Sequence, residues 1–385
     1  MPESQMEQRL QPEDRLLFID HLRMALIALV VLHHIAVIYA ANINFYYVEV
    51  PDYAHNPGAI GVTVALAFFQ LFNQAFFMGL FFFLSGYFTP QVFDRKGPGT
   101  YMKDRLIRLG IPILVYFFVL NPLATTATYY HMPVSVTHLT GPFVWSEHFA
   151  VGVMWFAVLL LIFCAVYLLC RAATKNRVKA GGVKPVPKFG KILIFIIILA
   201  IASFLIRIPI PIAKYVAFFP SLGYLPQYAS FFALGIVANR NDWLRAIPDK
   251  LGKTGLLIAL LSIILFLIGI SARIGSGSAF LGGGTPQSFI YALFDSFFSV
   301  GWSLFLITFF RKHWNRKTVF GPRLRQSSFA VYIIHIPVIV YVAVLLQNLA
   351  INPFAKFGLV AIIGVPVCFA AAYLLRRIPG VDRVL

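Results

Sequence analysis

Charged residues are scarce in this chain, and acidic residues are the scarcest of them. Only 12% of the 385 residues are charged, whereas 59% are hydrophobic. With a mean hydropathy of +0.81, this composition lies outside the range of soluble globular domains. We therefore expect an all-α, polytopic membrane protein.

Cysteine is almost absent as well. Cys164, Cys170 and Cys368 fall within or at the ends of apolar segments, without the spacing of metal ligands. This excludes a disulfide framework and predicts three buried small residues and no metal site. A cleavable signal peptide is also not indicated, because the polar start "MPESQMEQRLQPEDR" leads into a long apolar run without a small-residue cleavage site.

What the sequence does contain is a series of ten apolar segments, each long enough to cross the roughly 30 Å hydrocarbon core of a bilayer. The segments cover residues 16–40, 61–88, 106–124, 149–170, 191–207, 222–239, 253–271, 288–310, 328–349 and 357–376. We expect one membrane domain over residues 1–385, with a polar N-terminus (1–15), a basic cytoplasmic loop (171–191) and no appended soluble domain.

The basic residues that give the net charge of +18 are distributed as expected for a protein that crosses the membrane repeatedly. Of the 32 Lys and Arg, 28 fall at the N-terminal side or in alternate loops, and only Arg207, Lys214, Arg273 and Lys356 fall in the intervening ones. The positive-inside rule therefore places both termini in the cytoplasm. No nucleic-acid partner is expected, and the bilayer is the partner that this charge pattern indicates. The outer loops 41–60 and 125–148 lack Lys and Arg and are rich in aromatics, which is typical of interface anchoring or of stacking on sugar rings.

The first apolar segment, "IDHLRMALIALVVLHHIAVIY", carries ionisable residues where they are costly. Arg23 and His34 are eleven residues apart, so on an α-helix they share a face to within about 20° and are separated by roughly 16 Å. Asp20 lies on nearly the same stripe, whereas His33 is rotated by about 100°. An imidazole there can act as a general base and an arginine can bind phosphate or carboxylate. A snorkelling arginine and a histidine that only packs remain the alternative.

Two further segments lie near the predicted inner face. In "FFFLSGYF", Ser85 and Gly86 permit a close backbone approach or a helix break. In "KDRLIRLGIP", Arg105 and Arg108 lie three residues apart on one face of a helix start, as in an anion clamp. Both patterns are equally compatible with simple helix packing and with the positive-inside rule.

A late segment, "SFAVYIIH", places Ser328, Tyr332 and His335 at i, i+4 and i+7 on one helical face. Such side chains can support chemistry or merely bond helices to one another. Asp295 is the only acidic residue deep within a predicted helix, and no spacing identifies its partner.

Taken together, these segments resemble the acyltransferase-3 family of integral membrane acyltransferases. The resemblance lies in "DHLRMALIALVVLHH", "FFFLSGYF", "RLIRLGIP", "VGVMWFAVLLL", "YLPQYASFFALGIV" and "SFAVYIIH", which occur in this order along the chain. It implies acyl transfer from a cytoplasmic acyl-CoA, with no permanently bound cofactor, to a hydroxyl of an extracytoplasmic glycan at a bacterial inner membrane. A secondary transporter of a small anionic or sugar-like solute remains the alternative.

The resemblance also implies roles for particular residues. His34 matches the family's essential histidine and Arg23 the arginine that precedes it, and we expect Asp20 to assist them. The expected acyl-CoA-binding residues are Arg105, Arg108, Ser85 and Gly86. Ser328, Tyr332 and His335 are expected to support the site.

Overall fold

The computed structural model of the protein describes residues 16–40, 45–49, 58–174, 184–212, 214–220, 222–271, 277–317 and 321–384. In this part of the chain, ten long helical segments follow one another. They are α1 (Leu17–Tyr39), α2 (Gly58–Lys96), α3 (Pro98–His131), α4 (Trp155–Ala173), α5 (Phe189–Arg207), α6 (Leu225–Arg240), α7 (Asp249–Ser271), α8 (Pro286–His313), α9 (Gly321–Leu345) and α10 (Pro353–Leu375).

All ten predicted apolar segments are helical in the structure, so the all-α polytopic fold is confirmed. Among the described residues, nine helices are long and apolar enough to span a membrane, whereas α6 has only 16 residues. The helices α2 and α3 extend well beyond the predicted apolar segments, because the polar residues next to those segments are helical as well. Gly97, at φ +75°, ends α2, and Pro98 begins α3.

Helix α1 lies at the centre of the bundle. In the span that it contributes, 61% of the residues are buried, against 22% in α5, α7 and α10. It packs against α2, α8, α9 and α10. The histidines of α1 are therefore held among other helices, whereas Arg23 near its first turns is exposed.

Helix α3 is interrupted by two wider π turns, Leu106–Gly110 and Tyr116–Leu120. Each is followed closely by a proline, Pro112 or Pro122, which cannot donate a hydrogen bond to the carbonyl one turn earlier. The indole of Trp145 donates to the carbonyl of Phe118 at 2.8 Å and satisfies one such group. Irregular turns of this kind occur often at functional sites.

Helices α2 and α6 meet through a pair of glycines. A Cβ on Gly86 would lie 2.1 Å from the carbonyl oxygen of Phe232, and a Cβ on Gly235 would lie 2.1 Å from that of Phe83. No side chain fits at either position, so the backbones touch directly. The glycines of two widely separated motifs thus form one helix contact.

The structure corrects two expectations about individual residues. Cys170 is exposed, although Cys164 and Cys368 are buried as predicted. Arg207, which the charge pattern assigned to an outer loop, is completely buried and forms an ion pair with Asp295. Arg207 is the last residue of α5, and its side chain points into the bundle. A hydropathy profile does not show in which direction a side chain points.

Candidate active site

Two histidines from opposite ends of the chain meet inside the bundle. His34 on α1 and His335 on α9 have ring centroids 4.9 Å apart, and Nδ1 of His34 lies 3.3 Å from Nε2 of His335. His335 is completely buried, whereas His34 is partly accessible. The face of α1 on which His34 aligns with Arg23 is therefore the face on which His34 contacts α9.

Backbone carbonyls determine which ring nitrogens carry protons. Nδ1 of His34 lies 2.8 Å from the carbonyl oxygen of Val30, and Nδ1 of His335 lies 2.7 Å from that of Tyr332. Since a carbonyl only accepts hydrogen bonds, both Nδ1 atoms are donors. In the neutral rings both Nε2 atoms therefore carry lone pairs. Nε2 of His335 faces the N–H of His34, and Nε2 of His34 has no hydrogen-bond partner among the described residues.

His33 occupies a different environment from its neighbour. Its ring is buried, lies 5.0 Å from that of Phe77 on α2 and meets His34 only edge-on. Its Nδ1 has no hydrogen-bond partner within the described chain. Of the two adjacent histidines, only His34 contacts the partner on α9.

The charged groups lie at the N-terminal end of α1, which the charge pattern assigns to the cytoplasmic side and which we call the inner end. The guanidinium of Arg23 lies over the ring of Phe88, at 5.7 Å from its centroid, and interacts electrostatically with Asp20 and Arg105. Phe88 belongs to the "FFFLSGYF" segment, so two of the motifs meet at this contact. Sequence reasoning identified Arg23 but missed Phe88, because one phenylalanine among many gives no signal.

Asp20 does not reach His34. Its carboxylate accepts a hydrogen bond from Nη1 of Arg325 at 3.1 Å, and the fourteen residues between Asp20 and His34 correspond to about 21 Å along the helix. The structure therefore joins Asp20 to the inner charged groups and not to the histidine pair. Its role in catalysis stays a prediction without a supporting contact at the histidines.

The two arginines of α3 are separated by the first π turn. Arg105 is half-buried, with its guanidinium 5.2 Å from the centre of the Tyr101 ring, whereas Arg108 is exposed. The wider turn changes the angular step between them, so their relative orientation differs from that in a regular helix. Arg105 joins Arg23 at the inner end, and Arg108 remains available at the surface.

The "FFFLSGYF" glycine is used for packing. The carbonyl of Phe232 occupies the space beside Gly86, which leaves no room for a ligand on that side. Ser85 is half-buried, and its carbonyl accepts a hydrogen bond from Thr89 at 2.9 Å. The expected part of Ser85 and Gly86 in acyl-CoA binding stays a prediction, whereas the helix contact of Gly86 is observed.

The three polar residues expected on one face of α9 differ in their environments. Tyr332 is buried, stacks beside His335 and donates to the carbonyl of Val153 at 2.5 Å. Ser328 instead donates to the carbonyl of Leu324 in its own helix. Tyr332 and His335 therefore belong to the site, and Ser328 lies about 10 Å along the helix from His335.

The outer side of the site is covered by the segment that follows α1. The ring of Phe45 stacks on His34 with centroids 5.8 Å apart, and the hydroxyl of Tyr46 donates to Oδ1 of Asn121 at 2.5 Å. The Tyr46 hydroxyl also lies 3.1 Å from that of Tyr116, in the second π turn. We call Phe45, Tyr46, Tyr116 and Asn121 the outer cover.

Gly152 makes the outer cover possible. Its φ is +45°, and a Cβ at this position would lie 2.3 Å from the hydroxyl of Tyr46 and 2.7 Å from Oδ1 of Asn121. Any other residue would displace the cover. Asn121, buried beside Pro122 in an apolar helix, was detectable from its polarity alone, whereas Phe45 was not.

In the described part of the chain no group of three His, Cys, Asp or Glu is arranged to hold a metal ion. The fold and the site together define an integral membrane protein with an accessible imidazole enclosed between an inner arginine region and an outer aromatic cover.

Comparison with known families agrees with this description. A family model described as "Acyltransferase domain", the acyltransferase-3 model, matches residues 16–373. The chain therefore belongs to this family of membrane acyltransferases. No curated protein and no solved structure gave a significant match.

Proposed function

We propose that the protein moves an acyl group, succinyl or acetyl, from a cytoplasmic acyl-CoA to a hydroxyl of an extracytoplasmic glycan across a bacterial inner membrane. The observation that carries the proposal is the free Nε2 of His34. Among the described residues of the site, this atom is the one nitrogen with an unused lone pair on a partly accessible ring. General bases need such an acceptor within reach of the proton that they remove.

The donor would enter from the inner end. Arg23 and Arg105 interact electrostatically there, so anionic phosphates of coenzyme A would meet these two guanidinium groups, while Arg108 is exposed on the same helix as Arg105. The rise from Arg23 to His34 is about 16 Å, comparable to the length of an extended pantetheine arm. A donor anchored by its phosphates would thus bring its thioester to the histidine pair.

The acceptor would enter from outside by displacing the outer cover. Nε2 of His34 would take the proton of the acceptor hydroxyl while its oxygen attacks the thioester carbonyl. The carbon–sulfur bond then breaks, and the proton passes from His34 to the departing thiolate, which leaves as free coenzyme A. His335 would hold the His34 ring, because its Nε2 accepts from the Nδ1–H that carries partial positive charge during the reaction.

The identity of the two substrates is supported by resemblance only. The order of "DHLRMALIALVVLHHIAVIY", "SGYF" and "RLIRLGIPIL" is similar to that in glucans biosynthesis protein C, which implies succinyl transfer to periplasmic glucan. We propose that the acceptor binds at the membrane domain itself, where Phe45 of the outer cover stacks on His34.

Inverted membrane vesicles would test the proposal. Vesicles loaded with a glucan oligosaccharide would receive succinyl-CoA or acetyl-CoA outside, and thiol release would be measured. We expect release that depends on the enclosed saccharide, and a matching mass increment on it. Thiol release at the level of vesicles without the protein, for both donors, would contradict the proposal. Acid quenching during turnover would distinguish the base from an acyl-histidine intermediate, because only the latter leaves label on the protein.

A further inference from the structure

An aromatic cluster lies at the C-terminal end of α3 and in the segment that follows it, on the side of the outer cover. Phe143 stacks on His148 with centroids 4.6 Å apart and an interplanar angle of 20°, and the ring of Tyr129 meets it at 5.0 Å. Tyr130 and Trp145 border Phe143 at 6.3 and 6.2 Å and expose 68% and 42% of their surfaces. We call these five residues the outer platform.

The outer platform is attached to the outer cover by hydrogen bonds. Nδ2 of Asn121 donates to the carbonyl of His148 at 2.7 Å, while Oδ1 of the same side chain accepts from Tyr46. Trp145 is tied to α3 through the carbonyl of Phe118. A ligand on the platform would therefore be in contact with the residues that close the active site.

The charge of this region restricts what it can bind. Residues 125–148 contain no Lys or Arg and one acidic residue, Glu147, so the platform offers no cation to an anionic ligand. It offers aromatic faces together with exposed polar groups, among them His131, His138 and Glu147. A polyhydroxylated ring fits both features, since its C–H faces pack on the negative faces of aromatic rings and its hydroxyls bond to polar side chains.

We propose that the outer platform binds neutral saccharide rings of the acceptor before they reach His34. The proposal rests on the proposed function for the identity of the acceptor as a glycan. Aromatics that only anchor a protein at a membrane interface lie at the level of the lipid headgroups. Here the rings pack on one another and on an imidazole, and are held by the cover of the site.

The test measures saccharide binding directly. The full chain in lipid nanodiscs would be titrated with laminarihexaose or maltohexaose, and binding followed by saturation-transfer NMR. We expect Phe143→Ala and Tyr130→Ala to weaken binding about ten-fold, as for the loss of a well-packed aromatic contact. Phe354→Ala is the matched control, because Phe354 is 56% exposed at the predicted outer end of α10, and it should bind normally.

Two outcomes would overturn the platform. The first is equal saccharide affinity in Phe143→Ala, Tyr130→Ala and the control. The second is quenching of Trp145 fluorescence by brominated lipid, since quenching places the ring in the bilayer. Thiol release from acyl-CoA in inverted vesicles separates this proposal from the proposed function. If transfer occurs but the platform variants bind normally, the platform is wrong. If saccharide binding needs the platform but no transfer occurs, only the acyl transfer is wrong.

Discussion

The bundle holds two polar pairs that differ in charge and in accessibility. Arg207 and Asp295 carry opposite charges, Nε of Arg207 donates to the carbonyl of Gly223 at 3.1 Å, and the rings of Tyr224 and Tyr291 lie 4.8 and 5.4 Å from the guanidinium. His34 and His335 bear no opposite charge, and His34 keeps one nitrogen without a partner.

This difference separates structural from chemical roles. A completely buried ion pair is costly to break by removal of one partner and is inaccessible to a substrate, so its role is structural. A neutral, partly accessible ring with an unused lone pair offers an acceptor for a proton. Polarity within the bilayer marks both kinds of site. Accessibility distinguishes them, because Arg207 is completely buried although its Nη1 has no hydrogen-bond partner among the described residues, whereas the His34 ring is partly accessible.

The largest effect is expected at His34. His34→Ala should lower the acyl-transfer rate about 10² to 10⁴-fold, because the general base is lost, while the amount of folded protein stays normal. His33→Leu is the matched control and should retain most activity, since His33 packs against Phe77. Rates measured in inverted vesicles check this. Wild-type rates in His34→Ala, or an equal loss in both variants, would refute the assignment.

Breaking the ion pair should affect stability and not chemistry. Asp295→Ala leaves the guanidinium of Arg207 buried without its counter-charge, so we expect a loss of about 3–5 kcal/mol in the free energy of unfolding. Arg207→Met combined with Asp295→Leu should recover most of this loss. Denaturant unfolding in detergent measures both. A double variant as unstable as the single one would show that the charges themselves are needed.

Removing the partner of the catalytic ring should give a smaller, kinetic effect. His335→Leu is expected to lower kcat about ten-fold, the cost of one hydrogen bond, with KM for acyl-CoA unchanged because the donor phosphates bind at the inner end. His335→Gln should recover part of the rate, since its amide oxygen can accept from Nδ1 of His34. A change in KM alone would assign His335 to substrate binding.

The smallest effect is expected at the inner end of α1. Asp20 and Arg325 form a partly exposed pair, so Arg325→Gln should cost only about 0.2–1 kcal/mol of stability and leave transfer unchanged. Asp20→Asn tests the predicted catalytic role of Asp20. If it lowers the transfer rate far more than Arg325→Gln does, Asp20 acts on the reaction; equal small effects would limit it to the ion pair.

Much of the fold could be predicted because apolar length and charge position are local properties of the chain. All ten helices follow from hydropathy, and the alignment of Arg23 with His34 follows from helical periodicity. The relative orientation of Arg105 and Arg108 could not be predicted, because a π turn, associated with the prolines of α3, changes the residue count per turn. The partner of Asp295 could not be found, because 88 residues separate it from Arg207 in sequence.

By itself, the sequence determined a helical membrane bundle, its predicted orientation and the histidine on the arginine face of α1, since each depends on composition and on the fixed geometry of one helix. The tertiary structure alone decided that His335 faces His34, that Gly86 packs against α6, and that Phe45 covers the site. Those contacts join residues far apart in the chain, and they depend on how helices pack. No spacing along one helix can encode that.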